Sequence, residues 1–502
     1  GGLTEYQDLF DRYPRCQGGF VWEWIDHGLR TRDRRGEFFG YGGDFGEPLH
    51  DGNFVADGLL FPDRRSSPGL LEYQKVSEPV RISRDGDGLR ISNRYDFLDL
   101  AHLEFGWVAE VDGEPLASGS LAVPGVAAGE SVGVPMPDLR APDAGEVWLT
   151  IRAGLARDAS WAEAGHVVGW GQVPVSPAAL EASEPQQLQQ PQPQQSQPRE
   201  PQQPHQSQEP QQPREPPEPG HPTARAGREI EIGPGVFDPA SGLLIRLGPL
   251  AVDGPRLDVW RAPIDNDRWF SADRNEVAWR ELGLHRMEHR LDSITTDPDP
   301  GPDQLVVQTR VAPAASRLGL HTTYRWTPAG AGLRLTVQVE PEGDWTRSLP
   351  RLGLTMALPA RLDQVEWFGL GPGEAYRDSR RAVRVGRYRA TRAELQTPYV
   401  FPQENGNRAG VRWAQLTGGS GPGLRISGEP TVDLSVRPWT AGDLDAARHP
   451  VDLVARDRTF VTIDHAHNGL GTGSCGPGVL PVHQLRAEPM AFSVTFEIIN
   501  EG

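Results

Sequence analysis

The chain has 502 residues, 37% of them hydrophobic, and a formal net charge of −18 at pH 7. This length allows three or more domains, and 58 glycines with 47 prolines are typical of a globular, turn-rich protein. The negative charge argues against a nucleic-acid or anionic-membrane partner, because such partners reward clustered lysine and arginine. No apolar run approaches the roughly 20 residues that a membrane span needs.

The first 78 residues predict the end of a large α/β domain. Residues 4–13 have apolar side chains at helical spacing, and Pro14 predicts the end of that helix. Residues 18–26 form a dense apolar run that ends in tryptophans and carboxylates, which predicts a buried parallel strand. Because parallel strands need crossover helices and neighbours on both sides, we expect the chain to begin within such a domain.

A loop rich in glycine, aspartate and aromatic residues extends from residue 41 to residue 57. Aromatic faces stack on the C–H patches of sugars, while carboxylates and amides bind hydroxyl groups. The loop therefore suits a sugar site, although a plain capping loop explains its composition equally well.

Short alternating strands follow in residues 79–177, for example at 89–93 and 146–151, and they fit a small immunoglobulin-like sandwich. Residues 178–227 consist mainly of proline, glutamine, glutamate and serine without an aromatic residue. This composition predicts a disordered, extended linker, with a docking site for a proline-binding module as the alternative.

Residues 228–502 predict one large β-sandwich. Residues 320–327 and 333–339 predict a hairpin around a glycine-rich turn, and residues 460–463 and 492–498 are equally typical of strands. We interpret the glycines of residues 367–374 as structural, because no phosphate-loop lysine follows them.

Four further features are candidates for chemistry or for structure. Asp265, Asn266 and Asp267 could bind a cation or hydroxyl groups, or simply form an Asx turn. Asp464 with two nearby histidines has neither zinc nor triad spacing, so we interpret it as a strand end. Two cysteines at opposite ends of the chain predict free thiols, with a disulfide as the alternative, and favour a reducing cytoplasm.

These segments resemble, in the same order, the C-terminal half of the long bacterial β-galactosidases of glycoside hydrolase family two. The Thr-Pro-Tyr-Val-Phe-Pro-Gln-Glu-Asn-Gly block is especially specific. The matching stretches are residues 13–26, 41–46, 57–64, 260–267, 367–376, 397–406 and 469–479.

The resemblance implies a mainly β, multidomain chain. Residues 1–78 would be the C-terminal part of a TIM (β/α)8 barrel, 79–177 an immunoglobulin-like β-sandwich and 178–227 the linker. Residues 228–502 would be a large galactose-mutarotase-like β-sandwich similar to the β-galactosidase small chain.

The resemblance also implies a retaining mechanism on terminal β-D-galactosides such as lactose, with two catalytic glutamates about 5 Å apart. Both are expected upstream of Gly1, so no residue of this chain is assigned a catalytic role, and the isolated chain is expected to be inactive. Glu23 is not a substitute, because the matching family position carries an acid that is not catalytic.

For the binding shell, the resemblance places Trp22 in the galactose pocket. The Phe54 carbonyl and Asp57 match a sodium site that contacts the sugar, and His50 matches an asparagine associated with a second magnesium. Cys475 replaces a tryptophan platform for the aglycone, so the acceptor preference is expected to differ.

The resemblance also places Asp265, Asn266 and Asp267, as candidate substrate-binding residues, at the start of a mobile loop over the active site. The expected assembly is a homo-oligomer of the full-length enzyme or complementation with an upstream barrel fragment. The alternatives are a non-catalytic carbohydrate-binding or small-subunit-like protein that complements a separate catalytic chain, and a hydrolase of other specificity such as a β-glucuronidase.

The predicted linker leads to a proteolysis experiment. Limited digestion should cut first between residues 178 and 227 and leave two stable pieces, because an unpacked segment is readily bound by a protease. Gel analysis with mass spectrometry locates the cuts. Protection of this tract would show that it packs against the rest of the chain.

Overall fold

The computed structural model describes residues 1–142, 144–183, 229–268, 274–296 and 304–499. Over these residues the protein is mainly β, and its strands form five sheets. None of the described helices has the length and apolarity needed to cross a membrane. Both cysteines are free and exposed, which confirms the prediction of two free thiols.

The N-terminal segment contains two helices and one small hairpin. The predicted first helix is confirmed as α1 (Leu3–Arg12). The hairpin consists of β1 (Leu29–Asp33) and β2 (Gly36–Gly40). Helix α2 (Pro68–Val76) begins where Ser67 accepts a hydrogen bond from the Leu70 amide, with proline at its first position.

The prediction of a buried strand at residues 18–26 is wrong. Phe20 is fully exposed, and Trp22 and Trp24 are 82% and 59% exposed. Ile25 forms one parallel bridge, to Leu60. A buried parallel strand needs a neighbour on each side and helices on both faces, and the described part of the chain supplies a neighbour on one side alone.

The second domain is a β-sandwich, as predicted, and its described residues form seven strands. One sheet has the order β3-β4-β7 and the other β6-β5-β8-β9, and their inner faces share one apolar core. The strands are β3 (Val80–Asp85), β4 (Gly88–Asn93), β5 (Leu103–Val111), β6 (Glu114–Ser120), β7 (Ser131–Pro135), β8 (Val147–Leu155) and β9 (Val167–Pro174).

A short helix, α3 (Pro177–Ser183), follows the sandwich, so the prediction of a disordered linker is wrong for residues 178–183. Ala179 in this helix is buried against Trp148 of the sandwich and against Phe368 and Val385 of the following domain. The remainder of the predicted linker lies outside the described residues.

The third domain contains a four-stranded sheet, β10-β11-β12-β13, and a twelve-stranded sheet. The path of the larger sheet is β14-β19-β24-β23-β25-β18-β17-β16-β15, and β22, β20 and β21 extend from β23. The strands are β10 (Ile230–Ile232), β11 (Gly235–Phe237), β12 (Leu244–Leu247), β13 (Leu250–Ala251), β14 (Asp253–Asp258), β15 (Met287–Thr296), β16 (Leu305–Pro313), β17 (Gly319–Ala329), β18 (Gly332–Glu342), β19 (Arg351–Pro359), β20 (Gln364–Gly371), β21 (Arg384–Thr391), β22 (Arg408–Thr417), β23 (Gly423–Arg437), β24 (Arg458–His467) and β25 (Met490–Ile499).

The described residues of this domain also form three short α-helices: α4 (Asp265–Arg268), α5 (Asn275–Glu281) and α6 (Ala441–Ala446). The predicted hairpin is confirmed, because β17 pairs with β18 up to Ala329 and Gly332, with Gly330 at φ 56° in the turn. Strands β24 and β25 likewise confirm the predicted strands, and Asp464 lies in β24 as expected.

Side chains of one domain bind the backbone of another at the domain boundaries. Glu72 of α2 is buried, and its two carboxylate oxygens accept hydrogen bonds from the Arg380 and Ala382 amides at 3.1 and 2.9 Å. Between the sandwich and the third domain, Gln172 exchanges two 2.8 Å hydrogen bonds with the Val385 backbone. These contacts hold the N-terminal segment and the sandwich against the third domain.

Replacing Glu72 should loosen the N-terminal segment. Glu72→Ala leaves two backbone amides without acceptors, which should cost about 1–3 kcal/mol of stability. Thermal unfolding followed by circular dichroism measures this loss. Glu37→Ala removes an exposed ion pair with Arg30 and should change stability by less than about 0.5 kcal/mol, whereas equal effects of the two substitutions would contradict the assigned role of Glu72.

Candidate functional site

Three segments that are distant in sequence meet at one place. Residues 23–27 run beside residues 55–60, with the Glu23 amide donating to the Asp57 carbonyl at 3.3 Å and the His27 amide donating to the Val55 carbonyl at 2.9 Å. The side chain of Asn53, from the same loop, donates to Asp265 of α4 at 2.7 Å. The loop of the N-terminal segment therefore contacts the third domain here.

Four carboxyl groups lie close together at this place. Burial raises the pKa of Asp26 to about 7, and Asp57, Asp265 and Glu23 repel its charged form. The Asp26 carboxylate accepts a 2.7 Å hydrogen bond from the Gly58 amide. Loss of hydration also raises the pKa of Asp57 to about 6, with Glu23 adding to this shift.

A histidine and exposed aromatic side chains lie beside the cluster. His27 Nε2 lies 3.1 Å from Glu23 Oε1. Trp22, which precedes Glu23 in the chain, is 82% exposed. A flat apolar face beside carboxylates can stack on a sugar ring while the carboxylates bind its hydroxyl groups.

Asp265 connects two domains through amide side chains. Its Oδ1 accepts from Asn53, and its Oδ2 accepts from Gln403 Nε2 at 2.9 Å. Gln403 Oε1 in return accepts from the Asp265 backbone amide at 3.1 Å. Burial raises the pKa of Asp265, while the two amide donors favour the charged form.

Asn266 binds a loop of the third domain, residues 471–476, which contains Cys475. Its Nδ2 donates to the Gly471 carbonyl at 2.8 Å. Its Oδ1 accepts from the Ser474 amide at 3.0 Å and from the Ser474 hydroxyl at 2.8 Å. The amide is thus occupied by the loop, while the Cys475 thiol is exposed.

Asp267 is buried, unlike its two neighbours at the start of α4. Its carboxylate pairs with the fully buried Arg261 at 3.1 Å and accepts from the Ile264 amide at 3.0 Å. A buried carboxylate bound in this way holds the chain in place, so Asp267 does not present an oxygen to a sugar.

The residues expected to hold metal ions differ in how well they fit. Sodium and magnesium prefer oxygen ligands such as carboxylates and carbonyls, so Asp57 and the Phe54 carbonyl are suitable for sodium. His50 is unsuitable for magnesium, because its Nδ1 accepts from the Gly52 amide at 3.1 Å and its ring lies against Gly43. Within the described ranges, no three His, Cys, Asp or Glu side chains converge on a metal position.

Aromatic contacts hold the loop of residues 41–57 on the third domain. The Tyr41 hydroxyl donates to the Arg448 carbonyl at 2.7 Å, and its ring lies 4.7 Å from that of His449. His449 Nε2 also lies 3.1 Å from Asp44. The third domain thus determines the position of the loop.

The sequence suggested Trp22, Asp57 and Asp265 as site residues, whereas it indicated no specific role for Asn53 or Gln403. Gln403 belongs to the specific block at residues 397–406, and this block was the feature of the sequence that could have pointed to it. Its role was not evident because its partners, at residues 53 and 265, are distant in sequence.

Comparison with known families divides the chain into the same three parts. Residues 1–82 match the family described as glycosyl hydrolases family 2, TIM barrel domain, and residues 89–176 match β-galactosidase, domain 4. Residues 235–497 match β-galactosidase small chain. These matches confirm the predicted family resemblance and the predicted fold class, with a barrel fragment followed by two β domains.

Individual proteins show the same similarity. The chain is 35% identical to a β-galactosidase of Arthrobacter sp. (strain B7), over 97% of this chain and 48% of that protein. It is 27% identical to a β-galactosidase of Kluyveromyces lactis, over 98% of this chain and 45% of that protein. The chain therefore spans about half the length of the curated relatives it matches.

Among solved structures, a galactose mutarotase-like protein from Lactobacillus casei matches 53% of this chain and 93% of its own chain. Its sequence identity is 10% and its TM-score is 0.27.

Removing the charge of Asp265 should release the loop that Asn53 anchors. Asp265→Asn places an amide against two amide donors, so one hydrogen bond is lost, at a cost of about 1 kcal/mol. Hydrogen exchange of residues 52–57 should accelerate roughly fivefold, as measured by mass spectrometry. The control Asp63→Asn affects contacts with Arg65 and should leave this exchange unchanged. An unchanged exchange rate in Asp265→Asn would refute the role of Asp265 in anchoring the loop.

Proposed function

Because this chain belongs to the β-galactosidases of glycosyl hydrolase family 2, we propose that it forms part of a retaining enzyme that hydrolyses terminal β-D-galactosides such as lactose. The Asn53–Asp265–Gln403 contact supports this function, because it joins the barrel segment to the third domain beside a carboxyl cluster and an exposed tryptophan. The chain supplies walls of the sugar pocket. We assign neither catalytic glutamate of the retaining mechanism to it.

In this proposal, Trp22 stacks on the galactose ring, and Asp57 lies near its hydroxyl groups. The Phe54 carbonyl and Asp57 would hold a sodium ion, which supplies positive charge beside the sugar. Cys475 would line the acceptor side, where a thiol gives less stacking area than an aromatic ring. Asp265 and Asn266 position these groups through the contacts described above.

The partner in this proposal is a polypeptide that carries the rest of the barrel and both catalytic glutamates, either as part of a longer chain or as a separate chain. Exposure of Phe20 and Trp24 supports such a partner, because residues of a barrel strand are normally covered by neighbouring strands and helices. Assembly into a homo-oligomer and residence in the cytoplasm remain further parts of the proposal.

The isolated chain should not hydrolyse nitrophenyl β-galactoside, and turnover should appear when a polypeptide with the preceding part of the barrel is added. Release of nitrophenol measures this result. Glu23→Gln should retain turnover after complementation, because Glu23 is not assigned as acid/base or nucleophile. Robust turnover by the isolated chain would falsify the assignment of both glutamates to the partner. Sugar binding without turnover after complementation would instead favour the non-catalytic alternative.

Replacing Trp22 should weaken transition-state binding in the complemented enzyme. Trp22→Ala removes an aromatic contact worth about 0.5–1.5 kcal/mol, so kcat/KM for nitrophenyl galactoside should fall roughly twofold to thirteenfold. Trp161→Ala, at an exposed position in the sandwich, is the matched control and should leave kcat/KM unchanged. Equal kcat/KM values for the Trp22→Ala variant and the parent would remove Trp22 from the pocket.

A further inference from the structure

The loop of residues 471–476, here named the Cys475 loop, has three external anchors: Asp378, Asn266 and the Gly1 amine, which donates to the Gly471 carbonyl at 3.0 Å. Asp378 holds its beginning, where one carboxylate oxygen accepts from the Gly471 amide at 2.8 Å. Asn266 reaches further along the loop and binds Gly471 and Ser474 with three hydrogen bonds. A single amide side chain therefore spans the part of the loop that leads directly to Cys475.

The Cys475 loop is also tightly turned within itself. The Cys475 and Gly476 amides donate to the Thr472 carbonyl at 3.3 and 2.7 Å, and the Thr472 hydroxyl donates to the Pro477 carbonyl at 2.9 Å. Helix α1 covers one side, because a Cβ atom at Gly476 would lie 3.0 Å from the Tyr6 hydroxyl. A loop of this kind moves as a unit, so its external anchors determine where the thiol lies.

Asn266 connects this loop to the carboxyl cluster through its neighbour in the chain. Asp265 and Asn266 are the first two residues of α4. Asp265 binds Asn53 and Gln403, while Asn266 binds the Cys475 loop. The same helical turn therefore fixes the distance between the loop and the segment that contains Asp57.

We propose that Asn266 is a positioning residue that holds the Cys475 loop at the edge of the sugar site and thereby influences which group is accepted on the reducing side of the galactose. The effect on selectivity rests on the proposed function, whereas the positioning of the loop rests on the contacts alone. An amide suits the position because Gly471 offers an acceptor and Ser474 offers two donors. Asparagine can satisfy both, whereas aspartate has no donor.

Thiol reactivity tests the positioning in the full 502-residue chain. In a Cys16→Ser background, Cys475 is the single thiol, and its reaction with dithiobis(nitrobenzoate) reports on the loop. Asn266→Ala should change this rate about threefold to tenfold, because the loop loses three hydrogen bonds. Asn266→Asp, which retains the acceptor for Ser474, should give a smaller change and provides a second variant if Asn266→Ala does not fold.

Asn53→Ala is the matched control for thiol reactivity. It truncates an amide that binds Asp265 rather than the loop, so the Cys475 rate should equal that of the Cys16→Ser parent. Circular dichroism confirms that each variant is folded. Equal thiol rates in the folded Asn266 variants and the parent would overturn the positioning role.

Selectivity is tested in the complemented enzyme. The ratio of kcat/KM for lactose to that for nitrophenyl galactoside should shift at least about threefold in Asn266→Ala, with a smaller change in inhibition by free galactose. An altered thiol rate with an unchanged ratio would overturn the effect on selectivity. If no complemented variant or parent turns over either substrate, the proposed function and the selectivity effect both fail, while the thiol rates still decide whether Asn266 positions the loop.

Discussion

The Asp265 carboxylate accepts hydrogen bonds from two amide side chains that reach it from different parts of the fold, Asn53 of the N-terminal segment and Gln403 of the third domain. A carboxylate that loses hydration is stable when such donors satisfy its oxygens. The arrangement of the site depends on this contact, because it fixes the loop of residues 41–57 relative to α4. Through Asn266, the same helix also fixes the Cys475 loop.

The third domain provides the rigid support for this contact. Its core is one continuous apolar cluster beneath the twelve-stranded sheet, and buried ion pairs flank that cluster. Arg437 pairs with Glu404, next to Gln403, and Arg351 binds Asp464 at 2.7 Å. Buried charges require partners, so these pairs restrict the segments on which the site residues stand. Removal of one partner would leave the other charge buried and unpaired.

The N-terminal segment contributes groups to the site without having a complete core of its own. Its helices contact the third domain through Glu72 and through Glu5, whose carboxylate lies 2.6 Å from His483. Trp22 and Trp24 remain exposed beside the carboxyl cluster. This combination of anchored helices and exposed aromatic side chains is consistent with a segment whose function requires further barrel residues.

Local sequence patterns determined helix α1, the β17–β18 hairpin and the alternating strands of the sandwich, because helical spacing, Pro14 and the turn around Gly330 act between neighbours in the chain. The characteristic blocks also determined the family and the order of the domains. Patterning failed at residues 18–26, where an apolar run predicted burial. Burial of a parallel strand depends on partner strands, and one such partner alone is present in the described chain.

The sequence predicted which types of residue form the candidate site, whereas the tertiary structure determined how these residues are arranged. Sequence indicated Trp22, Asp57 and the run at residues 265–267, since their chemistry suits sugars and cations. The sequence could not show that Asp267, unlike its neighbours Asp265 and Asn266, is buried against Arg261. It also could not identify Asn53 and Gln403 as partners of Asp265. Those distinctions depend on hydrogen bonds between residues that are more than 130 positions apart in the chain, and only folding brings such residues within bonding distance.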